Sequence, residues 1–218
     1  IDILESNGDI YNIPDLYQKN LSVDKTVNQI TIDKEYAYLA TNFGIVVVNI
    51  KKKEIANTYI IGPDATKVPV YGIAIDDKHI YALSNDYIFK AQKVGVNLLD
   101  FNFWQEDKIS LNTTQSCKSL YKFANSLFTI KSDSIVYQYT TKWNDFYNSG
   151  SYAKISTSSD RLFISVGNNG LIAYKNDLTE DTSIWYGTWD TDYNPQTDTY
   201  YFATNTLGIT SYKIGGPS

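Results

Sequence analysis

His79 is the only imidazole in the chain, so a nucleophile and base arrangement must use it, with Asp76, Asp77 or a distant serine. His79 follows Asp76-Asp77-Lys78 at a predicted strand entrance, where a hairpin-turn role accounts for it better than a catalytic one. With one His and one Cys, neither a four-ligand structural zinc site nor an intrachain disulfide can form. No G-x-S-x-G elbow, G-x-G-x-x-G fingerprint or Walker loop occurs, which leaves hydrolase and nucleotide readings without their oxyanion or phosphate cradles. Arg161 is the only arginine, so the arginine cluster of a propeller sialidase cannot be assembled. Paired carboxylates could hydrolyse glycosides, but the sequence marks no pair. Asp190-Thr191-Asp192-Tyr193-Asn194 matches the first three ligand positions of an EF-hand loop. Pro195 then replaces the required glycine and Tyr201 the bidentate glutamate, so the segment reads as a polar hairpin loop. The expectation is no catalytic residue, no metal and no cofactor.

Aromatic side chains are the other candidates. Nineteen tyrosines and four tryptophans concentrate in Trp143-Asn144-Asp145-Phe146-Tyr147 and Ile184-Trp185-Tyr186-Gly187-Thr188-Trp189. Flat amphipathic rings beside Asn and Asp suit stacking on sugars or anchoring a protein partner; packing between sheets is the competing role. Trp143, Tyr147, Trp185, Trp189 and Tyr193 are the candidate binding residues.

These residues hang on a repeat. Tyr36-Ala37-Tyr38-Leu39-Ala40-Thr41 aligns with His79-Ile80-Tyr81-Ala82-Leu83-Ser84, Ser126-Leu127-Phe128-Thr129-Ile130, Arg161-Leu162-Phe163-Ile164-Ser165 and Tyr200-Tyr201-Phe202-Ala203-Thr204. The anchors Tyr38, Tyr81, Phe128, Phe163 and Phe202 are 43, 47, 35 and 39 residues apart. A four-strand rhythm surrounds each, in the first copy 27–32, 36–41, 44–50 and 54–61, with Gly44, Gly170 and Gly208 opening the third strand of their copies. β-Branched and aromatic residues dominate and no amphipathic helix stands out, so the fold class is all-β. Four-stranded units at this period predict a β-propeller of four full blades with partial blades at both ends, five to six in all, over a β-sandwich. The boundaries are a partial blade at 1–16, blades at 27–62, 69–110, 116–150 and 152–188, and a last partial blade at 189–214, in a single propeller domain or fragment spanning 1–218.

Charge narrows the function further. The 24 acidic residues against 19 basic give a net charge of -5, a field that repels nucleic acid. Lys51-Lys52-Lys53 is short and reads as a solvated turn. The longest apolar run, 44–48, is strand-sized, far from the roughly 20 residues that span a bilayer. A start at Ile1 without methionine reads as a processed chain or an excised piece.

Tyr38-Leu39-Ala40-Thr41-Asn42-Phe43-Gly44-Ile45-Val46-Val47-Val48-Asn49, Val70-Tyr71-Gly72-Ile73-Ala74 and Asn97-Leu98-Leu99-Asp100-Phe101-Asn102-Phe103-Trp104 carry a family resemblance. Asp9-Ile10-Tyr11-Asn12-Ile13-Pro14-Asp15 adds to it. The sequence resembles the N-terminal β-propeller of PorZ-like proteins, surface components of type IX secretion, without that family's earliest blades, second propeller and sorting domain. The resemblance implies a non-enzymatic scaffold in an exported, outer-membrane-associated attachment complex of a Gram-negative bacterium, with PorU-like, PorV-like and PorQ-like protein partners and anionic lipopolysaccharide. The alternative is the extracellular ligand-sensing propeller of a hybrid two-component sensor. A glycan-active enzyme is third.

Overall fold

A computed structural model describes residues 1–18, 24–85, 87–108, 117–131, 134–150, 153–167, 170–184, 188–194, 196–204 and 208–213. Two compact units are present, Ile1–Leu120 and Tyr121–Ser218. The architecture is all-β, of the β-propeller class, and among the described residues the only α-helical element is the single turn α1 at Asp15–Gln18. Among the described residues no helix is long and apolar enough to cross a membrane.

The first unit opens with a hairpin, β1 (Asp2–Leu4) and β2 (Ile10–Asn12), in the register Ile3↔Tyr11. A four-stranded antiparallel sheet follows: β3 (Val27–Asp33), β4 (Tyr36–Thr41), β5 (Gly44–Asn49) and β6 (Glu54–Tyr59). The next holds β7 (Gly72–Ile75), β8 (His79–Leu83), β9 (Tyr87–Gln92) and β10 (Gln105–Lys108). Their strands pair in sequence order, each hydrogen-bonded to the one before, because short turns leave antiparallel neighbours the simplest solution.

β5 explains the packing. All six of its residues are buried, since both faces of its sheet are covered. Ile45 and Val47 join Tyr38, Ile73, Ile80 and Phe89 in the core against the β7–β10 sheet. Val46 and Val48 join Leu39, Phe43, Ile13 and Leu16 in a second core, with Ile1 and Ile3 of the hairpin packed against it. Each such side chain contributes roughly 1.5–3 kcal/mol on burial. Gly44 allows the turn into β5: its φ is 135°, and a Cβ there would stand 2.3 Å from the Tyr59 carbonyl oxygen. Gly170 and Gly208 also have positive φ, 105° and 71°.

The basic turn is not simply solvated. Lys53, at φ 58°, places its ammonium 2.5 Å from Glu5 and 5.1 Å from the centre of the Tyr11 ring, pinning the hairpin to the turn before β6. Its side chain is 31% exposed, while Lys52 next to it is 70% exposed.

The second unit contains a sheet of β11 (Tyr121–Phe123), β12 (Ser126–Lys131), β13 (Ile135–Tyr139) and β14 (Trp143–Asn148). After it come β15 (Lys154–Thr157), β16 (Leu162–Ser165), β17 (Leu171–Tyr174) and β18 (Glu180–Ile184). A three-stranded sheet completes the unit: β19 (Thr188–Asn194), β20 (Thr199–Thr204) and β21 (Gly208–Lys213). Phe128, Ile130 and Val136 pack on Ile155, Leu162 and Ile164, while Phe163, Leu171 and Ala173 pack on Tyr193, Tyr200 and Phe202. The register of the outermost strand slips once in three sheets, at Val47/Val48, Val136/Tyr137 and Ala173/Tyr174. Such bulges increase the local twist of an outer strand.

One repeat position shifts. Tyr38, Tyr81, Phe128 and Phe163 sit three residues before Thr41, Ser84, Lys131 and Val166, which close the hairpin to the third strand, whereas Phe202 sits two before Thr204. Side chains alternate along a strand, so Phe202 points back into the core shared with Phe163, and Tyr201, 41% exposed, is the equivalent of Tyr38.

Candidate functional site

The aromatic candidates among the described residues divide between two strands, β14 and β19. Trp143 opens β14 opposite Tyr139, with ring centres 5.2 Å apart, and is half-buried. Tyr147, four residues on, packs on the edge of the core around Phe128. Tyr193 lies on β19 and is 8% exposed: its hydroxyl donates to Asp198 at 2.7 Å, and Tyr200 and the Arg161 guanidinium approach its ring at 4.7 and 5.4 Å. Burial first, then Asp198, pushes the Tyr193 hydroxyl up to about 12. Trp185 lies outside the described residues. Trp189 is in β19, and its side chain lies outside them too.

Arg161, unable to join an arginine cluster, instead centres an ion network. Its Nε donates to Asp181 Oδ2 at 2.8 Å, and its Nη1 donates to the Asp160 carboxylate and carbonyl at 2.9 and 3.0 Å. The Tyr200 hydroxyl donates to the same Asp181 oxygen at 3.0 Å, and Lys175 lies 3.1 Å from the other. Burial of Asp181 opposes its charge, yet hydrogen bonds from Lys175, Arg161 and Tyr200 hold its carboxyl below the usual range. Burial likewise opposes charge on Arg161, but Asp181 and Tyr200 hold it above the ordinary guanidinium value. The network ties the strand entrance before β16 and the outer strand β18 to β20, so it fastens two sheets. Sequence reading missed it because Asp181 and Tyr200 are 20 and 39 residues from Arg161 and no local spacing marks them.

His79 sits where the sequence suggested, at the start of β8. Asp76 Oδ1 accepts from the backbone N–H of Lys78 and His79 at 2.8 and 2.7 Å, and its Oδ2 from the Tyr81 hydroxyl at 3.0 Å. His79 Nδ1 stands 3.6 Å from Asp76 Oδ1. Burial would raise the Asp76 carboxyl, but these donors bring it below its ordinary value. That carboxylate therefore organises a turn. Beside it a cleft of about 370 Å³ is lined by Asp77, Lys78, His79, Gln92 and Val94.

The EF-hand-like segment is strand. Asp190 bonds Lys154 at 2.5 Å, Asp192 accepts from the Tyr193 N–H at 2.8 Å, and Asn194 accepts from the Gln196 N–H at 3.0 Å. Among the described residues no group of three or more His, Cys, Asp or Glu is placed to hold a metal ion.

Most of the first unit has a counterpart among known families. Residues 1–105 match the N-terminal β-propeller domain of PorZ of the type IX secretion system. A solved structure of PorZ, described as an essential bacterial surface component of that system in Porphyromonas gingivalis, superimposes with a TM-score of 0.79 over 96% of this chain at 23% identity. The chain spans 28% of that PorZ chain. The extracellular domain of a putative hybrid two-component system from B. thetaiotaomicron shares the fold, with a TM-score of 0.61 over 90% of this chain and 29% of its own, at 14% identity. A computationally designed protein, Ika8, is similar at a TM-score of 0.54 over 86% of this chain and 58% of its own, at 7% identity. No curated protein sequence matches.

Proposed function

We propose that this chain is a non-enzymatic docking module of a PorZ-like type IX secretion component, positioned at the outer-membrane surface. The match of residues 1–105 to the PorZ propeller carries the reading. Its partners are PorU-like, PorV-like and PorQ-like proteins, and anionic lipopolysaccharide is a further ligand. The module works by presenting surfaces on a rigid repeat, with connections between strands setting specificity. Trp143, Tyr147, Trp185, Trp189 and Tyr193 belong to this proposal as binding residues; of those described, Trp143 and Tyr147 are half-buried and Tyr193 is buried. The side-chain chemistry supports a binding role: Arg161, Asp181 and Asp76 are spent on fastening sheets and turns.

Deleting the encoding gene tests the reading. Type IX cargo is expected to accumulate in the periplasm; cargo reaching the cell surface at the normal level overturns the assignment. Sedimentation with purified lipopolysaccharide at low and high salt tests the second ligand, since a protein of net charge -5 can hold a polyanion only through local lysines.

The second reading is the ligand-sensing propeller of a hybrid two-component system, whose extracellular domain shares this fold. A histidine kinase domain in the same polypeptide would favour it.

A further inference from the structure

Residues 93–104, which join β9 to β10, have an anchored side and a displayed side. On the anchored side Leu98 packs on the core between the β3–β6 and β7–β10 sheets. Trp104 is 5% exposed, its ring centre 6.0 Å from that of Tyr59, and its Nε1–H donates to the Leu98 carbonyl at 3.1 Å. Residues 97–104 are braced. Asp100 N–H donates to the Asn97 carbonyl, Phe103 N–H to that of Asp100, and Trp104 N–H to that of Phe101, at 3.0 to 3.1 Å. Asn97 Oδ1 accepts from the Leu99 N–H at 3.2 Å, and Asp100 Oδ1 from both the backbone and side-chain nitrogens of Asn102, at 3.0 and 2.8 Å.

On the displayed side, Val94, Leu99 and Phe103 are 80%, 58% and 42% exposed. A second connection packs beside them: the 3-10 turn Pro63–Ala65 contacts the 3-10 turn Phe101–Phe103. It holds Asp64 and Ala65 at φ 52° and 56°, a left-handed conformation that costs non-glycine residues roughly 1–2 kcal/mol each. Strain of this kind persists only where the surroundings fix it. From Val94 to Asp107 there is no lysine or arginine, while Asp100, Glu106 and Asp107 are acidic.

A single exposed Leu or Phe needs no explanation. Leu99 and Phe103, held out by the hydrogen-bonded stretch 97–104, are different, because the ordering cost of binding has already been met. We propose that this connection is a docking surface for a second protein, one that offers Leu99 and Phe103 an apolar pocket rimmed by lysine or arginine. The carboxylates of Asp100 and Glu106 set the sign of that rim. The inference rests on the protein-docking reading above and assigns it a surface.

The test uses the full-length protein in the cell that makes it, with a photo-crosslinking phenylalanine analogue in place of Leu99. The expected result is one discrete adduct whose crosslinked peptide belongs to a different protein and places lysine or arginine beside apolar residues. Adding Phe103→Ser is expected to reduce that adduct at least tenfold and Glu106→Lys severalfold, with far-ultraviolet circular dichroism and Trp104 fluorescence unchanged. An adduct within the same polypeptide, to a second copy or to lipid overturns the proposal, as does no adduct, or one indifferent to Phe103→Ser. Recovery of type IX components by the tagged wild type and by Leu99→Ser/Phe103→Ser separates the two claims. Equal recovery by both removes the surface and leaves the docking reading intact; no recovery by the wild type removes both.

Discussion

Gln29 and Leu120, 91 residues apart, are joined by a pair of hydrogen bonds in which a side chain does the work of a strand. The Gln29 carboxamide oxygen accepts from the Leu120 N–H at 3.0 Å and its nitrogen donates to the Leu120 carbonyl at 2.9 Å. The Gln29 amide also donates to the Ile73 carbonyl at 3.3 Å, to which Thr31 donates at 2.7 Å. Gly72 makes room for this crossing: a Cβ there would lie 2.3 Å from Leu120 N and 2.7 Å from the Gln29 oxygen. The end of the first unit is thereby fixed to its first complete sheet.

Replacing Gln29 by Leu leaves both polar groups of a buried residue without this partner, at roughly 1–3 kcal/mol for each orphaned group. The expected loss is about 3 kcal/mol, read as a lower urea midpoint with unchanged slope, and as loss of hydrogen-exchange protection at the Leu120 amide. Protection retained in the variant would mean that the pair does not hold the segment.

Gly44 and Gly208 occupy matching turns in different surroundings. Gly44→Ala drives a Cβ into the Tyr59 carbonyl and is expected to cost more than about 3 kcal/mol, whereas Gly208→Ala meets open space and costs only left-handed strain of roughly 1–2 kcal/mol. Equal melting shifts in the two variants would contradict this account.

Asp181 makes the second unit pH-sensitive in a defined direction. Its carboxyl is held below the unfolded value, so its contribution is complete above roughly pH 4 and is lost as pH falls through the folded value. Asp181→Asn should therefore cost about 3 kcal/mol at neutral pH, the scale for breaking a mostly buried pair, and the difference from wild type should close in acid. A difference that grows on acidification would reverse the sign and refute it.

Trp143 and Tyr193 should separate binding from packing. Tyr193→Phe removes the hydrogen bond to Asp198 and is expected to cost about 1 kcal/mol in a thermal melt. Trp143→Ala, at a half-buried hairpin position, should lower partner recovery more than stability. A stability loss in Trp143→Ala as large as that of a core truncation, roughly 3–5 kcal/mol, would return this residue to packing alone.

Much of this molecule was legible because a strand repeat writes itself into side-chain alternation. Tyr38, Tyr81, Phe128 and Phe163 all fall on the second strand of their sheets, and the run 44–48 is buried because both its faces are covered. The slip at Phe202 shows the limit, since a one-residue error leaves composition intact and reverses the face. Partnerships across turns and sheets were hidden. Lys53 looked like one of three solvated lysines until Tyr11 and Glu5 came within reach, and Arg161 gave no sign of Asp181 or Tyr200. The outward display of Leu99 and Phe103 was equally illegible, because the aromatic-rich segment Leu98 to Trp104 does not say which of its apolar members turn inward.

The measurement that bears most directly on the central claim is quantitative co-purification of the full-length protein from outer-membrane extract, with mass spectrometry of what accompanies it. The docking account predicts PorU-like, PorV-like and PorQ-like components in fixed proportion to the tagged protein, reduced by Trp143→Ala. A preparation lacking these components would contradict it, and copurification with a histidine kinase in their place would favour the sensor.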